Sequence, residues 1–130
     1  MSADATVLAE LSRVAPGEAG ISAVTYAEIR YGLRRAISKA AEGRKEALLR
    51  KQELFERLLE HIDVLPWDRE AAEAYADERV SCEVDGEVVD QADLMILAHA
   101  GSAGRVLVTR DAALVRRNRK GPRKTRVLGW

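Results

Sequence analysis

Three acidic residues stand where this sequence sets strands against helices: Glu28, Asp93 and Asp111. Glu28 follows the short apolar run Ile21–Val24. Asp93 leads the apolar segment 92–100. Asp111 lies just past the C-terminal end of Val106–Thr109, the clearest strand in the chain. In open α/β sheets, ligands bind beyond the carboxyl ends of the strands. Carboxylates converging there repel one another and need a cation. Mg²⁺ or Mn²⁺ is the natural answer, because hard cations prefer oxygen ligands. Such ions activate water and stabilise in-line attack on a phosphodiester. Zinc fits less well, since Cys82, His61 and His99 have no ligand spacing.

Each acid also has a plainer role. Glu28 sits three residues after Thr25, the spacing of a Thr-x-x-Glu capping box. Asp93, near a helix N-terminus, favours the helix dipole. Asp111 can form a turn or cap a helix. His99 lies within an apolar helix, where a packed histidine is the commoner outcome. The hydroxyls of Ser22 and Thr109 at strand ends usually satisfy backbone groups.

The elements that must hold these acids follow from periodicity. Asp4 caps a helix over 5–14, and Pro16 to Gly20 is a turn. A strand at Ile21–Val24 leads through Thr25 into a helix to about Ala40. Glu42-Gly43 marks a break before a helix over 44–61. An extended segment at Ile62–Leu65 precedes a helix over about 69–80, which buries Ala72, Tyr75, Ala76 and Val80. Residues 81–90, rich in acids, read as a loop. A helix over Ala92–Ala100 and the strand Val106–Thr109 follow. Asp111 to Val115 is a short helix or turn, Gly121-Pro122 a break, and Arg126–Leu128 a terminal strand. Alternating strands and helices imply an α/β layer fold with a mostly parallel sheet. At 130 residues, one domain spanning 1–130 is expected.

Composition removes several classes. Hydrophobic residues make up 47% and charged residues 32%, which argues for a globular chain. No run approaches the length of a membrane helix, and Met1-Ser2-Ala3-Asp4 does not open a signal peptide. The single Cys82 cannot form an intramolecular disulfide, so a cytoplasmic protein is expected. The formal net charge is +0, yet the charges are segregated. Residues 105–126 carry nine basic side chains against Asp111 alone, and residues 60–93 carry 12 acids against Arg69 and Arg79. A basic tail suits phosphates even in a neutral chain.

Four segments together resemble a known family. Ile21-Ser22-Ala23-Val24-Thr25-Tyr26-Ala27-Glu28-Ile29-Arg30-Tyr31-Gly32 is similar to the Glu-bearing strand-then-helix segment of the PIN-domain ribonuclease toxins of the VapC type, from bacterial toxin–antitoxin pairs. Val64-Leu65-Pro66-Trp67-Asp68 resembles the family's connector, and Asp93 to Ala100 its Asp-led helix. Val106-Leu107-Val108-Thr109-Arg110-Asp111 resembles its strand ending in Thr-x-Asp, and Val127 to Trp130 its closing residues. The resemblance runs from about Val7 to Trp130. It implies a PIN-like three-layer fold, with a mostly parallel central sheet flanked by helices. It also implies a Mg²⁺- or Mn²⁺-dependent endoribonuclease acting on RNA, a homodimer, and a cognate antitoxin that blocks the site. Glu28, Asp93 and Asp111 become the expected metal ligands and catalytic residues. Arg110, Arg116, Arg117, Arg119 and Lys120 become the expected RNA contacts.

One departure accompanies the resemblance. In the family a strand ending in a metal-binding Asp precedes the first helix, whereas this sequence opens almost directly at that helix. The expectation is a chain without the first strand and the first Asp, and hence with weak or no cleavage. Two other readings stay open. One is a catalytically degenerate module that binds an antitoxin or nucleic acid, pairing through Tyr31, Leu48, Phe55 and Leu58. The other is a different carboxylate-metal enzyme of similar topology.

Overall fold

The computed structural model describes residues 20–108, 111–122 and 125–128. The helix expected over 5–14, the turn at 16–19 and the residues Thr109 and Arg110 lie outside the described residues. The chain divides into two compact units, with the boundary between Leu65 and Pro66.

The first unit contains β1 (Gly20–Ser22), α1 (Ala23–Lys39), α2 (Glu42–Leu59) and β2 (Asp63–Leu65). The strands pair in parallel, with Ile21 opposite Val64. The entry to α1 differs from the capping-box expectation. Ser22 is the N-cap, and its hydroxyl accepts from the Val24 N–H at 3.0 Å. Thr25 and Glu28 are therefore inside the helix, and Glu28 lies beyond its first turn. Serine is as good a cap as threonine, and the earlier cap satisfies the orphan N–H groups sooner. The break between α1 and α2 falls at Ala40 and Ala41, so α2 starts earlier than the glycine suggested.

α1 and α2 are joined around one cation. The Arg30 guanidinium lies 5.2 Å from the Tyr26 ring centroid and 5.1 Å from that of Phe55, and it pairs with Glu56. The Tyr26 and Phe55 rings are 6.0 Å apart. Leu48 and Phe55 are buried on α2, whereas no side chain of α1 is fully buried.

The second unit contains α3 (Arg69–Asp85), α4 (Gln91–Ser102), β3 (Leu107–Val108), α5 (Ala112–Lys120) and β4 (Val127–Leu128). Asp68 caps α3 by accepting from the Ala71 N–H at 2.8 Å. The helix continues through 81–85, where a loop was expected, and stops at Gly86. There φ is +66°, a conformation glycine adopts without steric cost.

The buried face of α3 is also one position away from the expected one. Ala71, Ala74, Glu78 and Cys82 are buried, while Ala72 and Ala76 are exposed and Val80 is 59% exposed. The small alanines let α4 approach closely with Leu94, Leu97 and Ala98. His99 is buried with them, its ring edge-on to Trp67 at 5.3 Å between centroids. β3 and β4 pair in parallel, Leu107 opposite Val127, and the Asn118 amide donates to the Thr125 carbonyl beside them. α5 is longer than expected, reaching Lys120. It ends at Gly121, where a β-carbon would meet Glu78 Oε2 at 2.7 Å.

Candidate metal centre and basic helix

Asp93 and Asp111 occupy equivalent places in the second unit. Asp93 is in the first turn of α4, and Asp111 is the N-cap of α5, three residues after β3. α4 packs against both β3 and α5, which brings the two helix starts into one field. The Asp111 Oδ1 accepts from the Ala113 and Leu114 N–H groups at 2.9 and 3.3 Å, so its capping role is real. The Asp93 carboxyl is pushed above the usual carboxylate range. Burial is the main cause, followed by the negative charges of Asp90 and then Asp111.

Asp90 is a participant that the sequence reading did not single out. It caps α4 by accepting from the Asp93 N–H at 3.1 Å. The signal was present as Asp-x-x-Asp immediately before an apolar run. This donor set suits a hard divalent cation. The carboxyl groups are all-oxygen donors, Asp93 is half-buried, and a cation would relieve the repulsion that adds to burial in raising it. Among the described residues, no group of three or more His, Cys, Asp or Glu side chains is gathered tightly enough to hold an ion. Glu28 is exposed on α1 in the other unit.

The basic residues separate into two kinds. Arg116, Arg119 and Lys120 are exposed on α5, and Arg110 lies outside the described residues. Arg117 does not belong with them, because its side chain is wholly buried. Its Nη1 donates to Asp85 and to Glu87, each at 3.0 Å, and its Nη2 donates to the Ser81 hydroxyl at 2.7 Å. Burial works against its charge. The bonds to Asp85 and Glu87 and the neighbouring Cys82 more than offset this and hold the guanidinium above its ordinary value. A side chain so enclosed cannot reach a phosphate, so the expectation for Arg117 is corrected. The same network explains why 81–85 is helical: Arg117, distant in sequence, neutralises acids that looked too crowded for a helix. Leu48 and Phe55 are likewise buried and cannot serve as a partner surface, whereas Tyr31 is 64% exposed.

Parallel strand pairs with helices following them make an α/β arrangement, with aspartates at the starts of two of those helices. The sequence profile of the PIN domain matches residues 2–120. The chain belongs to the PIN-domain family, and its fold is PIN-like α/β. It is similar to VapC ribonuclease Y4jK of Sinorhizobium fredii, with 33% identity over 95 residues, or 72% of this chain and 64% of that protein. The chain thus spans just under two-thirds of the length of this curated relative.

Two solved structures are similar. A DNA-bound VapBC from Salmonella typhimurium is 29% identical, with a TM-score of 0.65 covering 84% of this chain and 73% of that one. FitAcB from Neisseria gonorrhoeae is 26% identical, with a TM-score of 0.70 covering 94% of this chain and 82% of that one. Among the described residues, no helix is long and apolar enough to cross a membrane.

Proposed function

We propose that this chain is the toxin of a toxin–antitoxin pair, a cytoplasmic endoribonuclease that depends on Mg²⁺ or Mn²⁺ and acts as a homodimer held in check by a cognate antitoxin. We further propose that its two compact units belong to one PIN domain, as the continuous match over residues 2–120 supports. The observation that carries the reading is the Asp93–Asp111 pair, whose charges act on one another at the starts of two packed helices. The relative named as a ribonuclease supports the activity, and the neighbours named as VapBC structures support the partner.

Asp93 and Asp111 would hold the cation. The bound ion supplies an activated water and charge stabilisation for phosphodiester hydrolysis. The chain's own residues do the rest. Asp90 and Asp111 fix the helix starts by capping, so the carboxylates are held before any ligand arrives. Arg116, Arg119 and Lys120 present an exposed cationic face to the RNA backbone.

The test is cleavage of labelled single-stranded RNA, with and without Mg²⁺, by the wild type, Asp93→Asn and Asp111→Asn. Asparagine caps a helix as well as aspartate does, so Asp111→Asn removes charge without removing the cap. Whatever Mg²⁺-dependent cleavage the chain shows is expected to stop in EDTA and to be lost in both variants. Undiminished cleavage in Asp93→Asn overturns the metal reading. Antitoxin or RNA binding without any cleavage establishes the binding-module alternative instead.

A further inference from the structure

α1 carries an exposed face that the site described above does not use. Tyr31, Arg34, Arg35 and Ser38 fall at i, i+3, i+4 and i+7, which places them side by side along one stripe of the helix. Together with Tyr26, Ala27 and Arg30 of the same helix they line an open concavity of about 640 Å³. Arg30 is committed, held by Tyr26 at 3.1 Å and by Glu56. Arg34 and Arg35 are exposed, and their guanidinium groups have no hydrogen-bond or ion-pair partner among the described residues; the Arg35 carbonyl accepts from the Ser38 hydroxyl at 2.8 Å. Tyr31 is 64% exposed, an unusual place for a large ring without a task. Glu28 precedes Tyr31 by three positions and Arg35 by seven, so the stripe begins beside the acid that the sequence resemblance singles out on the same helix.

We infer that this concavity binds a strand of single-stranded RNA, with Arg34 and Arg35 on its phosphates and a base stacked on Tyr31. The inference rests on the ribonuclease reading for its ligand and deepens it by naming a subsite. Two unpaired guanidinium groups on a helix that buries no side chain fully form a cationic track. An aromatic ring set between cations is the combination by which proteins grip single strands without reading their sequence, because every base offers a flat face. An acidic peptide would satisfy the arginines but has no equal use for the exposed ring. Arg30, tied back against Tyr26 and Phe55, positions this surface without contacting the strand.

The experiment measures binding of a short fluorescent single-stranded oligoribonucleotide of mixed sequence by anisotropy. The whole chain is used in EDTA, over a range of salt, so that binding is read without cleavage. The joint variant Arg34→Ala with Arg35→Ala is expected to bind about tenfold more weakly. Its log–log salt slope should be shallower by about 1.4, since each phosphate contact on a single strand contributes about 0.7. Tyr31→Ala is expected to lose about tenfold with the slope unchanged, the mark of stacking rather than charge.

Arg34→Lys with Arg35→Lys should keep the wild-type slope. Alanine favours a helix, and these side chains are exposed, so circular dichroism should report unchanged helicity for all the variants. Wild-type affinity in both the Arg-to-Ala variant and Tyr31→Ala overturns the inference. So does a polyglutamate peptide that binds the wild type through Arg34 and Arg35 while RNA does not. Lost cleavage in Asp93→Asn with intact anisotropy bears on the carboxylates alone. Weakened binding in the α1 variants bears on the concavity, even if no RNA is ever cut.

Discussion

The two units of this chain use charge in opposite ways. In the unit from Pro66 onward, charge is taken inside. Glu78 and Arg117 are buried, as are Ala71, Ala74, Leu97 and Ala98, and Asp93 is half-buried. In the unit ending at Leu65, charge stays largely outside, with Arg30 held between two rings as the exception. Of its described residues only Ser22, Leu48 and Phe55 are buried, and Glu28, Arg34 and Arg35 face solvent. A well-packed core can hold a carboxylate against repulsion and so prepare it for a cation. A loosely covered helix is better suited to gripping an extended ligand.

The contrast can be broken most sharply by cavities. Leu97 is 0% exposed, so Leu97→Ala should cost about 3–4 kcal/mol in urea unfolding. Leu49 is 47% exposed on α2, and Leu49→Ala should stay within about 0.5 kcal/mol. Equal costs would mean that the second unit is no better packed than the first.

Next in size is Arg117→Ala, expected to cost about 3 kcal/mol. Removing one partner of a buried pair strands the others, although Asp85 and Glu87 retain some access to water. A loss of RNA affinity without a loss of stability would return Arg117 to the phosphate contacts.

The smallest effect concerns pH. The Cys82 thiol is pushed above its ordinary value of 9.0, first by burial and then by Glu87, Glu78 and Asp85, with Arg117 opposing. The folded protein thus prefers the neutral thiol. Its contribution to stability is whole below the unfolded-state value and is lost as pH rises past it toward the folded value. Melting temperatures of the wild type should decline more steeply above about pH 9 than those of Cys82→Ala. Parallel declines would remove Cys82 from the account.

The legible parts of the sequence were those governed by local rules. The apolar run that begins at Ile21 and the break at Gly121 leave short-range signals, and β1, β2, β3 and β4 overlap the expected segments. What was not legible depended on distant partners. The α3 face was misjudged because a buried Glu78 looks like a surface residue, and Val80 looks like core. The helical turn at 81–85 was missed because Arg117, which neutralises Asp85 and Glu87, lies thirty or more positions away. The same distance made Arg117 look like one more tail arginine. The resemblance to VapC-type toxins drew attention to Asp93 and Asp111, while Asp90 fell in a segment read as a loop, where a cap has no helix to open.

Asp111 caps α5, and on the proposed reading it also serves the cation, a double duty that shapes how the protein can evolve. A lineage that stopped cutting RNA would be free to let Asp93 drift to almost any small residue. At 111 the drift would be narrower, because the start of α5 still needs an oxygen for the Ala113 and Leu114 amides. Asparagine, serine or threonine would survive there and alanine would not. The residue at 111 in a descendant would therefore separate loss of the enzyme from loss of the fold.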